Sequence, residues 1–102
     1  MMDGLITGRL TGVPESRVDR NRRPYMVARM RANAGDGSSI PVNIVAFDNA
    51  PCAVLRSLAE GDAIALRGTL TPKVWIDRQE ESHAVLDVVA QQVLAAPTLS
   101  DL

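Results

Sequence analysis

The sequence predicts an all-β fold, a five-stranded Greek-key barrel with one short helix between strands three and four. Two observations lead to this prediction. Five segments have the composition of strands, most clearly through the two-residue alternation of apolar and polar residues. One segment, 48–61, changes to helical spacing between the third and fourth of them. The order of three strands, one helix and two strands is typical of such a barrel.

The first two predicted strands flank an arginine-rich loop. Residues 5–10 place Ile6 and Leu10 on one side and polar residues on the other. Residues 12–24 have no periodic apolar positions, so we expect a loop there. Residues 25–32 alternate clearly and predict a core face opposite a second face. That second face carries Tyr25, Val27, Arg29 and Arg31.

The third strand and the helix follow directly. After the turn-forming residues 33–39, residues 42–47 resume strand character. Asp48 or Asn49 can cap the helix, and Pro51 suits its first turn. An apolar stripe and a closing glycine complete the pattern: Val54, Leu55, Leu58 and Gly61.

The last two predicted strands follow the helix. Residues 63–70 alternate again, and residues 74–76 continue in extended form after a proline. A polar turn at 78–82 leads to a final apolar strand at 84–94. These two strands complete the expected five.

The chain length corresponds to one domain. With 102 residues there is no room for a second domain. We expect the domain to span residues 1–96 and residues 97–102 to form a loose end. Apolar residues make up 46% of the chain and aromatic residues only 3%, so the core is expected to be aliphatic.

Charge is distributed unevenly along the chain. The net charge of −1 argues against a protein that holds nucleic acid by bulk positive charge. Residues 9–31 carry seven arginines against two acidic residues, a net of +5, whereas residues 32–102 carry four basic against nine acidic residues, a net of −5. Such a division gives either one anion-attracting face or an ordinary mixed surface.

Cysteine content and hydropathy bear on the compartment. The only cysteine, Cys52, excludes an intrachain disulfide and indicates a cytoplasmic location. No basic leader precedes an apolar stretch, and the longest apolar runs are too short to span a bilayer. We therefore expect no membrane partner.

The sequence offers no arrangement for catalysis or metal binding. No nucleophile is accompanied by a base, and neither a glycine-rich phosphate loop nor a metal-ligand spacing is present. His83 is expected to be an exposed turn residue, and Asp77, Glu80 and Glu81 to form a solvated turn. We expect no enzymatic activity, no metal and no cofactor.

Several short motifs, in this order and spacing, resemble the bacterial single-stranded-DNA-binding protein family. They are Gly8-Arg-Leu10 with Pro14-Glu-Ser-Arg17, Pro41-Val-Asn-Ile-Val-Ala-Phe-Asp48, Glu60-Gly-Asp62, Leu66-Arg-Gly-Thr-Leu70, Trp75-Ile-Asp77 and Leu86-Asp-Val-Val-Ala90. The resemblance covers about residues 5–94. It implies the OB fold and a protein that binds single strands with little sequence preference.

In that family, exposed aromatic rings stack on bases while Arg and Lys follow the phosphates. Stacking tolerates any base because every base has a π-face. The resemblance implies base stacking by Phe47 and Trp75 and phosphate contacts by Arg9 and Lys73. The residues alone leave two alternatives open, since Phe47 also fits a core position and Trp75 also fits a structural or interface role.

Tyr25 is a further candidate that no family motif supports. It shares a predicted face with Arg29 and Arg31, which suits a base held between a ring and a cation. The predicted DNA-binding residues are therefore Trp75, Phe47, Tyr25, Arg9, Arg29, Arg31 and Lys73.

The chain also departs from the family in ways that predict weak binding by one protomer. Pro41 stands where the family has an aromatic residue, and residues 33–39 include none. Two stacking rings contribute roughly 1–3 kcal/mol each, which corresponds to a dissociation constant of about 1 mM. Several protomers on one strand raise avidity by about 10²–10⁴. We therefore expect a homo-oligomer, and the resemblance implies a tetramer.

Two functions are consistent with these features. The first is sequence-independent binding of single-stranded DNA in replication, recombination or repair. The alternative is a dimeric protein-interaction subunit of a replication-restart assembly, similar to primosomal replication protein N, with weak or no DNA binding. The near-zero net charge favours the second function, and the exposed aromatic residues favour the first.

Overall fold

The computed structural model describes residues 2–95, which form six strands and one helix. In chain order these are β1 (Met2–Leu10), β2 (Glu15–Val18), β3 (Pro24–Asn33), β4 (Ser39–Ala46), α1 (Asn49–Arg56), β5 (Ala63–Ile76) and β6 (Ser82–Ala95). The predicted loose end, 97–102, lies outside the described residues. No helix within residues 2–95 has the length and apolar character needed to cross a membrane.

The strands form one sheet whose five long members close on themselves. Their order is β1-β5-β6-β4-β3-β2, and β1 also pairs with β3. That closing contact is short and pairs Gly8, Arg9 and Leu10 with Ala32, Arg31 and Met30. Only the β4–β6 pairing is parallel. The ring of β1, β5, β6, β4 and β3 encloses the core.

The prediction of five strands is wrong by one. The additional strand, β2, lies within 12–24, which was predicted to be a loop, and it pairs with the start of β3. All four of its residues are exposed, so no buried alternation marks it in the sequence. Only its backbone pairing with β3 identifies this segment as a strand. The helix therefore lies between the fourth and fifth strands, not the third and fourth.

The core is aliphatic, as the composition predicts. Buried residues include the predicted inner face of β3, namely Met26, Ala28, Met30 and Ala32. From α1, Pro51, Cys52 and Leu55 are buried, while Val54 and Leu58 pack against the core at its margin. The helix ends at Arg56, earlier than its predicted limit at Gly61. Gly61 instead adopts φ +90° in the turn before β5.

Two glycines allow strands to approach closely where the barrel bends. A Cβ on Gly8 would lie 1.9 Å from the carbonyl oxygen of Arg31, across the closing β1–β3 contact. A Cβ on Gly68 would lie 2.0 Å from the carbonyl oxygen of Val89, beside the bulge between β5 and β6. Closure of this sheet thus requires residues without side chains at both positions.

Candidate nucleic-acid interface

Strand register brings most of the predicted binding residues onto one outer face of the barrel. Arg29 pairs with Asn43 and Arg31 with Pro41 across β3 and β4. Asn43 in turn lies beside Asp87 of β6. The face thus presents arginines along β3 and a mixture of amide and carboxylate groups next to them.

Two clefts cross this face and join. The first, with a volume of about 710 Å³, lies between β3–β4 and the arm formed by the ends of β5 and β6. Its lining includes Arg29, Arg31, Asn43, Lys73, Trp75 and Asp87. The second, of about 630 Å³, includes Arg17, Val27, Arg29, Asn43 and Val45. Both clefts are lined by Thr11, Arg29 and Asn43, so they lie next to each other. Together they extend from Trp75 to Arg17 and are here called the groove.

Trp75 occupies one end of the groove on the projecting arm of β5. Its side chain is 52% exposed, which is unusual for a tryptophan. One ring face stacks on His83 of the paired strand, with ring centroids 4.4 Å apart and an interplanar angle of 21°. The indole is therefore held in one orientation while half of its surface stays open to a stacking partner.

Tyr25 and Phe47 form a second aromatic pair. Their ring centroids lie 5.8 Å apart with a tilt of 36°. Phe47 is 57% exposed, so the alternative that it belongs to the core is wrong. Tyr25 is half-buried and pairs with Arg17 of β2, a residue that lines the groove. Neither ring lines the groove itself, and the pair lies just beyond its second end.

The arginines of β3 are the cations of the groove that no carboxylate neutralises. Within residues 2–95 the ion pairs are Arg17–Glu15, Lys73–Asp87 and His83–Asp77, which leaves Arg29 and Arg31 free. Arg31 donates one hydrogen bond to the Ser39 hydroxyl at 3.3 Å.

Arg9, in contrast, does not line the groove. It pairs with Arg31 across the closing strand contact. Its guanidinium donates a hydrogen bond to the carbonyl oxygen of Gly61 at 3.0 Å. The prediction that Arg9 contacts phosphate therefore has less geometric support than the same prediction for Arg29 and Arg31.

Lys73 lines the groove but has a carboxylate partner. Its ammonium lies 2.6 Å from Oδ2 of Asp87, and Asn43 donates a hydrogen bond to Oδ1 of the same carboxylate at 3.1 Å. The hydrogen bond from Lys73, followed by that from Asn43, lowers the pKa of Asp87 below its ordinary value of 3.8. Asp87 is thus ionised at neutral pH and offsets the charge of Lys73.

Two turns next to the groove have opposite charges. The basic turn, Asp19–Arg23, joins β2 to β3 and carries three arginines and one aspartate, a net charge of +2. The acidic turn, Asp77–Glu81, joins β5 to β6 and carries one arginine against three acidic residues, a net charge of −2. The basic turn lies beyond the end of the groove at Arg17, and the acidic turn lies beyond the end at Trp75.

The acidic turn also gathers three side chains of the metal-ligating types. Single ligand atoms of Asp77, Glu81 and His83 lie within 4.8 Å of one another. The Asp77 carboxylate, however, already accepts two backbone hydrogen bonds and lies 2.7 Å from His83 Nε2. The contact with His83 lowers the pKa of Asp77. The structure of the turn accounts for this cluster without an ion.

Sequence reasoning missed two residues of this face. His83 was expected to be a simple exposed turn residue, but it supports Trp75 and contacts Asp77. Asp87 falls within the predicted apolar strand 84–94 and received no role there, but it lies in the groove between Lys73 and Asn43. The alternation of β6 places both residues on its outer side, and this pattern was the available signal.

The fold of residues 2–95 and its outer face define a class: a small all-β domain of OB-like architecture with one helix in the described part and a partly cationic groove. No protein-family model matches this sequence, and no curated protein matches it. Its structure is similar to the crystal structure of the small single-stranded DNA-binding protein from Streptomyces coelicolor, with a TM-score of 0.75 and 17% identity over 96% of each chain. This similarity confirms the fold implied by the resemblance in the sequence.

Proposed function

We propose that this protein binds single-stranded DNA with little sequence preference and acts in the cytoplasm in replication, recombination or repair. The observation that carries the proposal is the groove, which starts at an exposed tryptophan and continues past two arginines that no carboxylate neutralises within residues 2–95. The similarity in fold to a protein whose title names single-stranded DNA supports the same function.

The groove offers the two kinds of contact that sequence-tolerant strand binding needs. An open indole face provides stacking for any base. Arg29 and Arg31 present planar guanidinium groups, which bind phosphate oxygens through paired hydrogen bonds. The Tyr25–Phe47 pair provides a second stacking position beyond the other end.

Binding by a single protomer should be modest, because the number of aromatic side chains is small. Stacking supplies roughly 1–3 kcal/mol per base. Useful affinity then requires several protomers on one strand, so we propose that the active form is a homo-oligomer, either a dimer or a tetramer.

A protein-interaction role within a replication assembly is the second candidate. One observation favours it: two aliphatic residues of the arm, Val74, which also lines the groove, and Ile76, which does not, are 67% and 68% exposed. Exposed aliphatic side chains on a projecting arm suit a protein partner. In this case the protein would bind DNA weakly or not at all.

A titration of fluorescently labelled oligo-dT separates the two candidates. Anisotropy is followed at low and moderate salt together with the emission of Trp75, the only tryptophan. Micromolar or tighter binding, with quenching and a salt-dependent affinity, supports strand binding at the groove. Absence of binding at high protein concentration contradicts it and favours the interaction module.

A further inference from the structure

We propose that the strand-binding site extends beyond the groove onto the basic turn, where Arg20, Arg22 and Arg23 hold phosphates of the bound single strand. This inference rests on the proposed function and adds a second, purely electrostatic part to the site. The ligand class is a run of phosphodiesters that continues from the bases stacked in the groove.

Position along β2 is the first observation. Arg17 lines the groove and pairs with Tyr25, and the next pair, Val18 with Pro24, is the last before the turn. The basic turn therefore begins directly beyond a residue of the groove and next to the Tyr25–Phe47 pair. A strand that leaves the groove at this end meets the turn next.

The free charges of the turn are the second observation. Asp19 is its only acidic residue, and Oδ1 of Asp19 accepts hydrogen bonds from the backbone N–H groups of Asn21 and Arg23 at 2.8 and 2.9 Å. Among the described residues, none of the three turn arginines forms an ion pair. Three exposed guanidinium groups are thus available to phosphate, whose oxygens match their donor geometry.

The fixed backbone of the turn is the third observation. Asp19 N–H donates to the carbonyl oxygen of Arg23 at 3.0 Å, and Arg22 N–H donates to that of Asp19 at 3.1 Å. Together with the aspartate side chain, these bonds hold the turn in one conformation. A rigid turn loses little backbone entropy when it binds a ligand, so its charges favour binding more than charges on a flexible loop.

The opposite end of the groove does not offer a similar continuation. Past Trp75 the chain enters the acidic turn, whose net charge of −2 repels phosphate. The strand is therefore expected to extend from the groove in one direction, across Tyr25–Phe47 and over the basic turn. From Pro41 in the groove to Phe47, this path follows β4 for about 20 Å, at a rise of about 3.3 Å per residue.

The test compares two triple variants of equal charge. The first replaces Arg20, Arg22 and Arg23 by Gln. The control replaces Arg56, Arg67 and Arg78, three exposed arginines outside the groove, by Gln. Each variant and the unaltered chain are titrated with oligo-dT of about 6 and about 20 nucleotides; the shorter lies within the usual range of one OB domain, about 4–16 nucleotides, and the longer exceeds it.

We expect the first variant to bind the long strand about tenfold more weakly at low salt, and the slope of log affinity against log salt to fall by about 2 for three lost phosphate contacts. Binding of the short strand and quenching of Trp75 should not change. Circular dichroism melting checks that both variants fold.

Three outcomes contradict the inference. An unchanged slope in the turn variant overturns it while the proposed function stands. Equal losses in both triple variants also overturn it, because they show an effect of net charge alone. If the unaltered chain binds neither strand, both this inference and the proposed function fail.

Discussion

The basic and acidic turns have nearly the same backbone and opposite charges. In each, the first residue is an aspartate whose Oδ1 accepts N–H groups from the third and fifth residues at 2.8–2.9 Å. In each, the fourth residue has a positive φ, 61° for Arg22 and 63° for Glu80. This is the type I turn with a left-handed residue that closes three-residue hairpin loops.

The comparison shows which positions determine the turn and which are free. The aspartate at the first position replaces hydrogen bonds that the strand ladder no longer supplies. A third turn, from Ala34 to Ser38, has the same two backbone bonds but places Gly37 at the left-handed position, with φ +88°. Since other positions are exposed, their charges can differ without changing the conformation. The two turns therefore differ in electrostatics and not in backbone conformation.

The largest difference between the two ends of the groove should appear in the affinity for oligo-dT. Trp75→Ala removes the exposed ring beside the acidic turn and should weaken oligo-dT binding by roughly 1–3 kcal/mol, or about 5- to 150-fold. Tyr25→Ala should cost less because its ring is half-buried against Phe47. Anisotropy titration measures both, and Ile76→Ala, at an exposed position outside the groove, is the control. Equal effects of Trp75→Ala and Ile76→Ala would contradict the stacking role.

Removing the aspartates tests the shared backbone. Asp19→Ala should lower the free energy of unfolding by about 1 kcal/mol, because two backbone N–H groups lose a charged acceptor and turn to water. Asp77→Ala should lower it for the same reason. Asp77→Ala should cost more, since it also releases His83. Urea unfolding measures the change, and Asp48→Ala serves as control because Asp48 makes no side-chain cap bond. No loss in either variant would show that the backbone bonds alone maintain the turns.

The two residues with positive φ, Arg22 and Glu80, allow a test in which the variants should gain stability. Arg22→Gly and Glu80→Gly should each stabilise the protein by about 0.5–1 kcal/mol. A side chain at positive φ costs roughly 1–2 kcal/mol, and the greater conformational entropy that glycine gives the unfolded chain offsets part of the gain from its removal. Asn21→Gly and Gln79→Gly, one residue earlier and without positive φ, should destabilise it. Thermal melting of the four variants checks the signs, and stabilisation by all four would refute the conformational explanation.

The smallest effect concerns the ion pair on the arm that leads to the acidic turn. Asp87→Asn should cost about 0.2–1 kcal/mol at neutral pH, since the Lys73–Asp87 pair is partly exposed. The pKa of Asp87 is lowered in the folded chain, so this contribution is present above the ordinary value of 3.8 and is lost as pH falls through the lowered value. The free energies of unfolding of the variant and of the unaltered chain, measured between pH 7 and pH 2, should therefore converge at acidic pH. A constant difference would exclude the ion pair as its cause.

Much of the fold could be predicted from the sequence. The period of two in β3 identified its buried face, because one side of a half-buried strand must be apolar. The change of period near Pro51 identified the only helix within residues 2–95. The strand β2 could not be predicted in this way, since it buries no side chain and exists only through its hydrogen bonds to β3.

The candidate site could be predicted in part. The family resemblance pointed to Trp75 as a stacking residue, and the structure places it at the groove. Whether Phe47 is buried was open from the sequence, because the last residue of an apolar strand can face either way; the structure exposes it. The role of Asp87 depends on the neighbours that β4 and β5 bring to it, and no local pattern encodes them.

Local sequence patterns were sufficient to predict the strand and helix periods, the aliphatic core and the separation of basic from acidic segments. All of these depend on residues close together in the chain. Only the folded barrel shows which arginines share a groove with Trp75, that Asp87 neutralises Lys73, and that His83 supports the indole. These contacts join residues from strands distant in sequence, and their register is set by barrel closure at Gly8 and Gly68.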